Sequence, residues 1–309
     1  MNIFLTLYVL QKIKGVGPKT IFKINKERLA GIHSSRQLYE LVCEISSTNS
    51  RIKAVPVEVV ENFLDAGKRV AEVHDKLQIK AVHYYDTDYP ENFRNIASPP
   101  VIFYAKGNIA SLSQPGIAVI GTRNVSSFGR KIGQRIGSSV AEHGLTVISG
   151  LAKGCDTAGH VGCLDAGGVT IAIVATPLDQ TYPEENTALS ERIVENNGCI
   201  ISEYPVGMRS TPFFFVQRDR LQCGLANSLI VVETGLTGGS WHAINGCLSL
   251  KKPLACFAYK AEHYSLYPHS RGNHSLIHSH RALPILDASS LEGFIRMSSA
   301  VQTAFFDEY

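Results

Sequence analysis

Residues 1 to about 75 place their apolar side chains at helical spacing. Leu38, Leu41, Val42 and Ile45 recur at intervals of three and four, as do Val59, Val60, Phe63, Leu64, Val70 and Val73, the pattern of helices that bury one face. The spacing predicts a small helical module. Its first ten residues, Met1 to Leu10, are apolar but are followed by Gln11 and Lys12, too soon to span a bilayer, and they lack the basic start of a secretory signal. They read as a core-facing helix, and no membrane partner is expected.

From Ile79 the period changes. Ile79–Tyr85 and Val101–Ala105 read as strands, followed by short apolar runs at 116–120, 145–148, 169–174, 199–202, 228–232 and 253–257. Runs apolar on both faces are the mark of buried parallel strands. Helical patterns at 129–143, 157–166, 186–195 and 239–250 lie between them. This alternation predicts right-handed βαβ units and an α/β fold, doubly wound, with a mostly parallel Rossmann-like sheet. The expected division is a helical, helix-hairpin-helix or SAM-like domain at 1–75, the Rossmann-like domain at 76–287, and a weakly patterned C-terminal tail at 288–309 to which no function is assigned.

Composition narrows the classes. Of 309 residues 44% are hydrophobic and 18% charged, with a net charge of +3, so affinity for nucleic acid has to come from a local cluster. The seven cysteines are odd in number and contain no CxxC pair, against a disulfide framework or a zinc site. A reducing cytoplasm is expected, with no metal and no cofactor.

The candidate chemistry sits in glycine-bearing loops just after strands, where open parallel sheets bind ligands and helix N-termini offer free amides. Gly121-Thr122-Arg123-Asn124 supplies a turn, a hydroxyl and a guanidinium for phosphate. Ser149-Gly150-Leu151-Ala152-Lys153-Gly154-Cys155-Asp156 opens into a helix, with Asp156 expected as its N-cap and His160 one turn on as either a base or a structural imidazole. Gly238-Gly239-Ser240 makes a third anion cradle. None has the GxxxxGK[ST] or GxGxxG order. Phe213-Phe214-Phe215 followed by Arg218-Asp219-Arg220 joins base-stacking faces to backbone-gripping cations, as in proteins that hold single strands. Near the N-terminus, Lys12-Ile13-Lys14-Gly15-Val16-Gly17-Pro18-Lys19-Thr20 is either a phosphate-contacting helical hairpin or a plain packing turn. No Ser-His-Asp order, HExxH or other catalytic set stands out.

Taken in order, Tyr89-Pro90, Pro99-Pro100-Val101, Gly121-Thr122-Arg123, Ser149 through His160, Tyr182-Pro183-Glu184-Glu185-Asn186, Ser202-Glu203-Tyr204-Pro205, Arg218-Asp219-Arg220 and Gly239-Ser240 resemble the DNA-processing protein A family, also called Smf. The resemblance implies a Rossmann-like domain that binds single-stranded DNA without catalysis, forms a homodimer and helps load a RecA-type recombinase in natural transformation. It also implies that Arg123, Lys153, Arg218 and Arg220 line the phosphate pocket and that the Phe213–Phe215 run stacks bases. The chain departs from the family pattern in several places. Asp219 stands where the family has Asn, Val216 where it has Pro and Gly238-Gly239-Ser240-Trp241 where it has SGSL, a His-bearing stretch (His263, His269, His274) replaces a Pro-Gly-Ser turn, and the winged-helix tail common in the family is not visible. Two other readings remain: a nucleotide-sensing or nucleotide-cleaving domain of the same superfamily, with Glu233 ahead of the third cradle and a place in a defence or mobile-element system, and a partner-binding scaffold.

Overall fold

The computed structural model describes the backbone of residues 1–306 and the side chains of residues 1–299. One sheet carries the strands β1 (Lys80–His83), β2 (Ile102–Gly107), β3 (Gly116–Ile120), β4 (Thr146–Ser149), β5 (Thr170–Ile173), β6 (Cys199–Ser202), β7 (Ser228–Val231), β8 (Leu254–Phe257) and β9 (Leu283–Ile285). Their spatial order is β1-β2-β6-β5-β4-β3-β7-β8-β9. From β6 to β9 every pairing is parallel, and β1 and β2 complete the edge antiparallel. The doubly wound Rossmann-like architecture is as the strand-helix alternation predicts. Connections run outward from β3 in one direction and from β7 in the other, so a crevice opens between the carboxyl ends of these two strands.

Five helices precede the sheet: α1 (Ile3–Lys12), α2 (Pro18–Ile21), α3 (Lys26–Ala30), α4 (Ser35–Thr48) and α5 (Val57–Lys76). The Gly15-Val16-Gly17 segment is indeed a turn between helices, but α2 is a single turn of chain, capped by Gly17, and Val16 is buried beneath it. The helical layer shares its core with the sheet edge. Leu7, Leu10, Leu38, Val42 and Val60 pack in one cluster with Ile79, Val101, Ile102 and Tyr104, and the Tyr85 hydroxyl reaches the carbonyls of Ile21 and Ile24 at 3.1 and 2.7 Å.

After α6 (Glu91–Arg94), the crossovers are α7 (Ser127–Glu142), α8 (Cys155–Asp165), α9 (Thr187–Glu195), α10 (Pro212–Leu225) and α11 (Ser240–Ser249). Period-two alternation sends Ile117 and Val119 to one face of β3 and Ala118 and Ile120 to the other, each into its own apolar cluster, which is why these strands are apolar throughout. The paired crossovers α7 and α8 touch backbone to backbone. A Cβ at Gly137 would meet the carbonyl of Gly159, and one at Gly162 the carbonyl of Gln134.

The end of the chain differs most from expectation. Helices α12 (Ala261–Leu266) and α13 (Arg271–His278) precede β9, and α14 (Ala288–Phe306) follows it. The segment read as a tail is therefore largely helix, with Leu291, Phe294 and Ile295 buried against Ile136 and Val140 of α7; residues 307–309 lie outside the described residues. One further device fixes α10. The Lys252 ammonium donates to the carbonyls of Cys223, Gly224 and Ala226 at 2.8, 2.8 and 2.6 Å, satisfying C-terminal carbonyls that the helix cannot pair itself.

Candidate functional site

A groove of about 350 Å³ occupies the crevice at the ends of β3 and β7, lined by Gly121, Thr122 and Arg123 on one side, Gly238, Gly239 and Ser240 on the other, and Phe215, Arg218 and Asp219 from α10. A second hollow of about 130 Å³ continues past Arg123 and Phe215 to Gly150, Lys153 and Tyr182. All three glycine loops thus meet at one place.

Two of the three expected cradles are filled by the protein's own carboxylates. Glu233, fully buried, accepts the Ser126 amide at 2.8 Å and the Ser126 hydroxyl at 2.5 Å, and it pairs with His263 Nε2 at 3.0 Å. Ser126 is the N-cap of α7, so a fixed negative charge already sits at the positive end of that helix. Gly121 has to be glycine because a Cβ there would strike the Glu233 carbonyl and the Cys155 sulfur. In the second loop Asp156 is not the N-cap. That position belongs to Gly154 at φ +83°, and the Asp156 carboxylate accepts the loop amides of Gly150 and Ala152 at 3.1 and 3.4 Å. Burial pushes its carboxyl up to about 6, although the nearby Arg218 and the two amides pull it down. The third cradle is open, with nothing near the Cβ positions of Gly238 and Gly239 and the Ser240 and Thr234 hydroxyls paired at 2.7 Å.

The four expected cations separate. Arg123 is exposed, with its guanidinium carbon 5.6 Å from the centroid of the Phe215 ring, and it forms no ion pair among the described residues. Lys153 lines the extension but pairs with Glu185. Arg218 is buried and reaches the carbonyls of Gly150, at 2.7 Å, and Ile173, as well as the Asp219 carboxylate at 3.0 Å. Arg220 turns away from both hollows and holds Glu203 through two contacts of 2.6 Å. Residues two apart on a helix point roughly 200° apart, so Arg218 and Arg220 cannot share a face. The aromatic run divides for the same reason. Phe213 is exposed and lines neither hollow, Phe214 stacks on Tyr204 at 3.6 Å, and Phe215 meets Tyr182 at 5.5 Å beneath Arg123. Ser149 is buried, its hydroxyl donating to the Val119 carbonyl at 2.7 Å. Asp219 faces the groove, and burial raises its carboxyl despite Arg218. No local pattern assigns Glu233 a part in holding the fold, although an acid directly after a buried strand is an available signal.

His160 is structural. It is fully buried with Nδ1 2.7 Å from Thr170 Oγ1, and that hydroxyl already donates to the Val147 carbonyl, so Nδ1 carries the proton and Nε2 has no partner. Burial, with a smaller push from Arg218, lowers it to about 3. His74, which accepts the Val206 amide through Nε2 at 3.1 Å, falls to about 4 through burial. A histidine depressed in the folded state stabilises above its unfolded value of about 6.5 and loses that contribution as pH falls toward the folded value. Each imidazole therefore costs on the order of 1.4 kcal/mol per pH unit below 6.5, while Asp156 acts in the opposite sense. Urea unfolding of wild type and His160→Leu at pH 7 and pH 5 should show the wild type losing about 2 kcal/mol more than the variant; equal losses would remove His160 from the account.

Comparison with known proteins is consistent with this geometry. The family model described as DNA recombination-mediator protein A matches residues 80–295. The DNA processing protein DprA of Streptococcus pneumoniae is 39% identical over 155 residues, 50% of this chain and 54% of that protein. Protein Smf of Synechocystis is 37% identical over 159 residues, 50% of this chain and 40% of that protein. The matches thus span about half the length of these relatives. The X-ray structure of the Streptococcus pneumoniae DprA superposes with a TM-score of 0.74 at 26% identity, covering 94% of this chain and 98% of that one. The DprA of Helicobacter pylori, solved for its single-stranded DNA binding mode, gives a TM-score of 0.62 at 25% identity, covering 71% and 95%. By its sequence motifs, its sheet and the family match across the groove-bearing segment, this chain belongs to the DNA recombination-mediator protein A family.

Proposed function

We propose that this chain binds single-stranded DNA along the groove at the ends of β3 and β7 and serves as a recombination mediator without catalysis. The observation that carries this reading is Arg123, an exposed guanidinium without an ion-pair partner among the described residues, poised over the Phe215 ring where the two hollows join. A free cation above an aromatic face suits a phosphate followed by a stacked base, and the open Gly238–Ser240 cradle continues the track. On this reading residues 76–287 form the DNA-binding unit and residues 1–75 brace its edge. The working form is a homodimer that passes the strand to a RecA-type recombinase in the cytoplasm, a setting suited to seven free thiols.

The test is fluorescence anisotropy with a labelled oligothymidylate across a salt series. Binding at low salt should weaken linearly in log–log form as salt rises. Arg123→Ala should lower affinity about tenfold and reduce the salt slope by about one, as expected for one lost phosphate contact. Absence of binding at low salt would overturn the proposal, and stabilisation by mononucleotides alone would favour a nucleotide-sensing role.

A further inference from the structure

Beyond Tyr182 lies another cavity, of about 190 Å³, between β5, α9 and the loop at 178–182. Much of its wall is aliphatic, from Leu151, Val174, Leu178, Val194 and Ile200, with the polar side chains of Gln180, Thr181 and Ser190 set among them. Thr176 lines both this cavity and the end of the groove, is only 5% exposed, and has a hydroxyl without a hydrogen-bond partner. A buried hydroxyl left unpaired is unfavourable and is relieved by a ligand atom that bonds it. Tyr182 stands at the junction, half exposed and edge-on to Phe215.

We propose that this cavity is a nucleobase subsite, in which a base of the bound strand passes Tyr182 and inserts between the aliphatic walls with an edge atom bonded to Thr176. The proposal rests on the groove holding the strand's backbone. A planar ring with apolar faces and a polar edge matches aliphatic walls that carry one orphan hydroxyl. A phosphate fits poorly, because two carboxylates, Glu191 and Glu195, line the cavity against one cation, Lys106, among the described residues. The Thr176 hydroxyl both donates and accepts, so it serves either kind of edge atom and gives the slot tolerance for several bases.

Anisotropy with an oligothymidylate and an abasic strand of equal length tests this in wild type, Thr176→Val, Val194→Trp and Arg123→Ala. Val194 is half-buried, so tryptophan there fills the slot from α9, and the near-isosteric Thr176→Val removes only the hydroxyl. Val194→Trp should weaken oligothymidylate binding about tenfold, the size of one lost base contact, without changing abasic binding, and Thr176→Val should weaken it several-fold in the same selective way. Arg123→Ala should weaken both strands alike. Unchanged oligothymidylate affinity in both slot variants would overturn the subsite and leave the groove standing, whereas failure of wild type to bind either strand would overturn the groove itself.

Discussion

Arg218→Ala should lower the melting temperature by on the order of 10 °C, whether or not DNA is present. Its guanidinium lies beneath the groove, holding the Gly150 and Ile173 carbonyls and flanked by the carboxylates of Asp219 and Asp156. Removing one partner of a buried pair leaves the others charged and unpaired, which costs about 3–5 kcal/mol, and each kcal/mol moves the midpoint by roughly 2–4 °C at this domain size. Arg218→Lys should not restore it, because one ammonium lacks the planar fork that reaches several acceptors in fixed directions. The deficit should also grow with pH. Without the cation, both carboxyls titrate higher in the folded state, so stability is present at low pH and lost as pH rises through the elevated values. Thermal denaturation at pH 5 and pH 8 checks both points, and a variant that melts like wild type at pH 8 would show Arg218 to be a surface ligand after all. Arg123→Ala, by contrast, should melt as wild type does.

Glu233→Ala should lose about 2–4 kcal/mol, from the Ser126 amide and hydroxyl left unpaired in the interior and from the loss of a negative charge at the start of α7. The same substitution should create a property that the wild type lacks. With its internal carboxylate gone, the α7 N-terminus becomes a vacant anion seat, so added phosphate or sulfate should raise the melting temperature of the variant more than that of wild type. Equal responses would mean that Glu233 does not occupy an anion position. The pairing with His263 ties this seat to α12, so the His-bearing stretch, which replaces a Pro-Gly-Ser turn in the family pattern, serves to close the first cradle.

The sheet was legible because buried parallel strands leave continuous apolar runs, and β3 through β8 stand within a residue or two of those runs. Three-residue β9 was not, since it contains Pro284 and two exposed positions, and α14 was masked by serines at 289, 290, 298 and 299 that dilute its apolar stripe. Each glycine loop was legible as the end of a buried apolar run, and their convergence follows from the adjacency of β4, β3 and β7 in the folded sheet. The separate fates of Arg123, Lys153, Arg218 and Arg220 were not legible. They depend on rotation about the α10 axis and on partners as distant in sequence as Glu185 and Glu203, and no local pattern records a cation's counter-ion across the fold.

The three-carbonyl grip of Lys252 bears on how quickly the groove can be filled. Burial holds this amine down to about 8, yet it keeps the C-terminal end of α10 anchored, and α10 carries Phe215, Arg218 and Asp219. If the groove takes a strand as proposed, this anchoring favours a wall already in place before the strand arrives, and capture is then expected to be set by encounter and by the ionic atmosphere. Differences in residence time among strands then fall to the dissociation step, where each stacked base and each phosphate has to be released in turn.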